Sequence, residues 1–160
     1  MTLGDLVPGE QDEKLAVIEE MAIFLYPALI PTSAMEPPDD AARRAYHTLY
    51  AATQAGLAAS RPGAACADLY HAMNRVIASF GGGDAEAGRL GHGLGMRLTE
   101  WPSLTPGDHT VLEPGMVLTL EPGLEMAPGR IMVHEENIVG RQDGPELLTR
   151  PAAPDLPVLA

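Results

Sequence analysis

The clearest hydrophobic pattern in the chain begins just after two acidic residues. Tyr46, Leu49, Tyr50, Thr53 and Leu57 recur at i, i+3, i+4, i+7 and i+11, which is one face of an α-helix, and Asp39 and Asp40 stand where N-caps belong. The pattern predicts a helix ending at the Arg61-Pro62-Gly63 turn. A second stripe, Leu69, Met73, Val76, Ile77 and Phe80, predicts a helix over 64–80 stopped by Gly81-Gly82-Gly83. The short connection makes the two an αα-hairpin. Upstream, Leu15, Ile18, Met21, Ile23 and Leu25 recur only loosely, so 11–26 reads as a helix or an ambiguous apolar element ended by Pro27.

Beyond the glycines the period changes. Segments 116–121 and 131–139 read as strands, bounded by Pro114-Gly115, Pro122-Gly123 and Pro128-Gly129. Strand side chains alternate, so Val117, Thr119 and Glu121 share one face, and Val133, Glu135, Asn137 and Val139 share one face of the next strand. Two carboxylates can then converge. The tail 150–160 has three prolines and no periodicity and is expected to be an extended surface segment.

Composition narrows the classes. The chain has 160 residues and a formal net charge of −12, enough for one core and the wrong sign for a nucleic-acid or anionic-membrane surface. The apolar stretch 21–30 is about half of what a bilayer span requires. A cytoplasmic protein is expected. One cysteine, Cys66, excludes an internal disulfide and a Cys-ligated zinc module and is expected to be a buried, inert thiol.

Candidate chemistry lies late in the chain. His92 is flanked by glycines in Gly91-His92-Gly93-Leu94-Gly95, which leaves its imidazole little side-chain cover. Glu121 ends an apolar strand and Glu135 sits within another, where a carboxylate is costly without a metal, a cation or several hydrogen bonds. One imidazole and two carboxylates suit a divalent ion such as Mn, Co, Fe or Zn; carboxylates of a hydrated edge strand are the alternative. Trp101 either lines a pocket or packs beneath its loop. His47, His71 and His109 read as solvated surface residues.

The order GHGLGMRLTEWP, VLEPGMVLTLEPG, IMVHEENIV resembles the C-terminal catalytic region of the pita-bread superfamily of methionine aminopeptidase, aminopeptidase P, prolidase and creatinase, and is most similar to bacterial prolidase-like members. The resemblance runs from about Pro37 to Val139. It implies an α+β fold, the C-terminal half of a pita-bread domain, with the αα-hairpin packed on an antiparallel sheet. Residues 1–36 are then a divergent N-terminal segment, 37–149 the half-domain and 150–160 the tail. It also implies metal ligation by His92, Glu121 and Glu135, with Glu136 as the fallback one residue on. Glu100 and His134 are the candidate catalytic residues nearby, although alternation turns His134 away from Glu135, to a role behind the ligands or on the opposite face, or to none.

The positions of two aspartate ligands of the family fall near Val17 and Ala28, neither of them acidic, and those of two accessory histidines at Gly88 and Thr99, so neither set is found in this sequence. The remaining donors imply at most one divalent ion per chain. The expected function is metal-dependent hydrolysis of small peptide or amide substrates. The other reading is a catalytically inactive half-domain serving as a binding or assembly subunit. Either way a second copy or a partner subunit is expected over the exposed sheet edge.

Overall fold

The computed structural model describes residues 38–80 and 88–158 of the chain. Helix α1 (Asp40–Ala59) starts where its cap allows: the Asp39 side chain accepts from the Ala42 amide at 2.7 Å. Its inward stripe is Ala45, Tyr46, Leu49, Ala52, Thr53 and Gly56. Helix α2 (Cys66–Ala78) begins beside Ala65, whose side chain cannot cap, so the Asp68 carboxylate instead takes the Ala65 amide at 3.1 Å. The amides of Cys66 and Ala67 donate to the carbonyls of Thr110 and Asp108, which satisfies first-turn donors that a helix cannot satisfy itself. A Cβ at Gly56 would lie 2.8 Å from the Met73 sulfur, so glycine there lets the two helices approach.

The sheet has order β2-β1-β3-β6-β7, from β1 (Gly91–Gly93), β2 (Glu100–Ser103), β3 (Val117–Leu120), β6 (Glu136–Arg141) and β7 (Gly144–Leu147), all neighbours antiparallel. β4 (Gly123–Ala127) and β5 (Arg130–Val133) form a separate two-stranded ribbon. Leu118, Leu120 and Ile138 enter one core with Leu49, Leu69 and Met73 of the helices. Alternation therefore turns Val117, Thr119 and Val139 to the opposite face, where Val117 and Val139 make a small second cluster with Leu94 and Leu148.

Both predicted helices are present, each a few residues shorter than the periodicity suggests. The glycine run 81–83 and the apolar element 11–26 lie outside the described residues. The expected strand 131–139 is two strands. It divides at His134-Glu135 because β5 pairs only with β4, while Glu136 onward pairs with β3. The tail, expected as an extended surface segment, buries Leu156 and donates to a buried carboxylate, with the Ala152 amide 2.8 Å from Glu136 Oε1.

Cys66 is fully buried, and burial together with the nearby Asp108 charge pushes its thiol up to about 12. A thiol reagent at about pH 8 is therefore expected to leave the native protein unlabelled and to react fully in denaturant. Labelling of the native state at the unfolded-state rate would show that α2 is not seated. No helix among the described residues is long and apolar enough to cross a membrane.

Candidate metal centre

His92 occupies the middle of β1, directly opposite Thr119 of β3, which in turn stands opposite Asn137 of β6. The three side chains form one row across the face of the sheet turned away from the helices. Extending the β3–β6 register one step beyond Leu120–Glu136 brings Glu121 opposite Glu135. The backbone supports that extension, since the His134 amide donates to the Pro122 carbonyl at 3.0 Å, while the Glu121 amide, donating to the Leu90 carbonyl at 2.9 Å, continues the β1–β3 pairing.

The imidazole of His92 is held in one tautomer. Its Nδ1 lies 2.8 Å from the Gly93 carbonyl oxygen, which can only accept, so Nδ1 carries the proton and Nε2 of the neutral ring carries the lone pair. Nε2 then faces Glu121 Oε2 at 3.4 Å. Two electron-pair donors meet head-on unless a cation lies between them, and that cation is either a proton or a metal ion. Burial alone would raise the Glu121 carboxyl, but His92 and the Arg89 guanidinium, 3.4 Å from Oε1, hold it below the usual range. The His92 contribution is that of a proton on Nε2 shared with Oε2, the place a metal ion would take, while Arg89 acts with or without it.

Glu135 is in a different condition. Its Oε1 accepts from the Thr119 hydroxyl at 2.6 Å, which places it on the same face as His92. Burial, and then the charge of Glu136, push its carboxyl up to about 7. A cation placed beside it would relieve both causes. The donor chemistry of His92, Glu121 and Glu135 fits a borderline or hard divalent ion, yet among the described residues no three His, Cys, Asp or Glu side chains converge closely enough to hold one. His92 and Glu121 meet, and Glu135 stands one strand away on the same face. The pair fits one side of a divalent-ion site without completing it.

The other expected residues have different positions. His134 points to the helix side, where its Nδ1 shares a 2.9 Å hydrogen bond with the Thr53 hydroxyl and its ring lies edge-on to Tyr46 and Tyr50. Burial pushes it down to about 4, so it is a neutral ring, and its Nε2 is buried without a partner. Glu136 also faces the helix side, buried, and accepts from Ala152 N and the Thr149 hydroxyl, an arrangement that separates it from the His92–Glu121 pair. Glu100 accepts from the Arg97 amide at 2.7 Å and shapes the β1–β2 loop rather than touching His92. Trp101 does not pack beneath its loop; it is 65% exposed and lines an open cleft with Arg97, Thr99, Glu100 and Ser103.

Three residues of the site were not singled out by sequence reasoning: Thr119, Arg89 and Asn137. Thr119 carried a signal, standing two residues before Glu121 on the same strand face. Asn137 is 1% exposed with both amide atoms unpartnered, a cost that polar residues buried near functional sites often carry. The positions 17 and 28 lie outside the described residues.

A helical hairpin backs an antiparallel sheet whose open face sets a histidine against a carboxylate. The chain belongs to metallopeptidase family M24, whose family model matches residues 30–140. The Xaa-Pro dipeptidase of Pyrococcus furiosus is 31% identical over 120 residues, covering 74% of this chain and 34% of that protein. The solved prolidase from Pyrococcus furiosus superposes with a TM-score of 0.68 at 30% identity, over 73% of this chain and 35% of that one. An Xaa-Pro dipeptidase from Bacillus anthracis superposes with a TM-score of 0.72 at 29% identity, over 79% and 36%. The chain thus spans about a third of the length of these relatives and has part of a pita-bread fold.

Proposed function

We propose that this chain supplies the histidine–glutamate side of a divalent-metal centre and acts in prolidase-like hydrolysis of small peptides or amides. The observation that carries the reading is the His92–Glu121 pair, in which a fixed Nδ1–H aims the Nε2 lone pair at a carboxylate oxygen 3.4 Å away. His92 and Glu121 would hold the ion, with Glu135 as the third donor. When bound, the ion would supply Lewis acidity toward a scissile carbonyl. The protein's own part is to fix the imidazole tautomer through Gly93, to hold Glu121 ionised beside Arg89 and to keep Glu135 on the same face through Thr119. Mn, Co, Fe or Zn as the ion, a cytoplasmic location and a second copy or partner subunit over the sheet edge belong to the same reading.

The test is elemental analysis after reconstitution with Mn or Co, paired with hydrolysis of an Xaa-Pro dipeptide. At most about one ion per chain is expected, together with slow hydrolysis that a chelator stops. Two ions per chain would mean that further ligands exist, and none would sink the metal reading.

A further inference from the structure

We propose that Thr149–Leu156 is a strap that locks Glu136 against helix α1, and that Glu136 is thereby a positioning residue which turns Glu135 toward Thr119 and the His92–Glu121 pair. The proposal rests on the reading of Glu135 as a metal donor given above.

The argument starts from three consecutive residues. In an extended chain His134 and Glu136 point to one face and Glu135 to the other. This stretch lies between the last pair of the β4–β5 ribbon, Gly123 with Val133, and the first of β3–β6, Leu120 with Glu136, and the His134 amide donates to the Pro122 carbonyl between them. The ladders set which face each side chain takes, and how firmly Glu135 is held on its own face depends on what grips the outer two residues. His134 is gripped by α1, through the Thr53 hydroxyl at 2.9 Å and the edges of Tyr46 and Tyr50. Glu136 is gripped by the strap, which gives a donor to each carboxylate oxygen: the Ala152 amide to Oε1 at 2.8 Å and the Thr149 hydroxyl to Oε2 at 3.3 Å.

Tyr46 joins the two grips. Its ring touches His134 and its hydroxyl donates to the Ala153 carbonyl at 2.6 Å. The strap is further seated by Leu156, 9% exposed, and by Asp155, 3.6 Å from His47. With both neighbours fixed on the helix side, Glu135 is left only the opposite face, where the Thr119 hydroxyl meets it at 2.6 Å. A buried carboxylate with two donors from one short segment is costly if that segment leaves. Glu136 therefore couples the seating of the strap to the direction of its neighbour.

The experiment uses Glu136→Ala, Glu136→Gln and a chain in which 149–155 is exchanged for a Gly-Ser segment of equal length. Two readouts are taken below each variant's unfolding transition: Mn affinity, and the NMR contact between the Thr119 methyl and the Glu135 side chain. Glu136→Ala and the exchanged strap are expected to lose the contact and to bind Mn about 10- to 100-fold more weakly. Glu136→Gln, which can still accept from Ala152 and donate to Thr149, is expected to stay within about twofold of the wild type on the same scale. A lowered melting temperature with contact and affinity unchanged would overturn the proposal, as would equal losses in Glu136→Gln and Glu136→Ala. Should Glu136→Ala not fold, the exchanged strap and Tyr46→Phe, which removes only the bond to Ala153, decide the question. If the wild type binds no Mn, the metal reading fails by itself and the NMR contact alone judges the strap.

Discussion

Glu121→Gln is expected to weaken Mn or Co binding by at least about 100-fold, beyond what loss of a supporting hydrogen bond usually costs, and to bring any hydrolytic activity down with it. The substitution keeps the shape of the side chain and removes only the charge. A neutral amide oxygen opposite His92 Nε2 is a poor donor to a divalent ion, and the amide nitrogen, if it turns inward, donates to Nε2 and closes the position. Arg89, 3.4 Å from the wild-type carboxylate, would at the same time lose its counter-charge and add repulsion toward any cation. Glu113→Gln is the control, because Glu113 is exposed and the change in net charge is identical. Isothermal titration with Mn separates the two variants. Equal affinities for Glu121→Gln and wild type would place the ion elsewhere and remove the basis of the functional reading.

The helices were legible in the sequence because each buries a single stripe and ends at strong punctuation. Leu49, Thr53, Leu69, Met73 and Ile77 repeat at the helical period and are all buried, and Asp39 supplies the expected cap. β3 was legible for a similar reason, an apolar run between Pro114-Gly115 and Pro122-Gly123. β1 and β2 were not. They contain three and four residues, two of them glycines in β1 and a proline in β2, so neither alternation nor propensity has enough positions to register. Their pairing is set by tertiary contact, chiefly Gly91 and His92 against Leu120 and Thr119.

At the candidate site, alternation alone put Thr119 with Glu121 and Glu135 with Asn137, and the register aligns those rows. It could not tell how far apart the rows stand, and the structure leaves Glu135 one strand from the His92–Glu121 contact. Nor could it locate the break at His134-Glu135. Residues 131–139 are continuously strand-like, and the division mirrors a break at Glu121-Pro122 in the partner, since Leu120 pairs with Glu136 and Gly123 with Val133 in one register. The tail is extended and mostly exposed, as expected, and only its anchor points were not legible. Its prolines indicate extended backbone, which is correct, but whether an extended segment lies in solvent or against a helix depends on partners far away in sequence, here Tyr46 and Glu136.

Gly91→Ala should destabilise the fold by about 4 kcal/mol or more. A Cβ at Gly91 would collide with the Thr119 carbonyl oxygen and come within 2.6 Å of a Leu104 methyl. The backbone there has φ +154, a region that side-chain-bearing residues seldom occupy. Leu104 could repack, but the carbonyl belongs to the β1–β3 ladder that pairs Gly91 with Leu120 and His92 with Thr119, so relief requires the strands to part. A loss of that size is a large share of the roughly 5–15 kcal/mol by which a domain is stable. Urea unfolding measures it, with Gly107→Ala as control, since a Cβ at Gly107 meets nothing within 4 Å and should change stability by about 0.5 kcal/mol or less. Similar midpoints for the two variants would mean that β1 does not lie against β3 in this register. Because that register is what sets His92 beside the strand carrying Thr119 and leading into Glu121, the same measurement also judges whether the histidine and the carboxylate share a face at all.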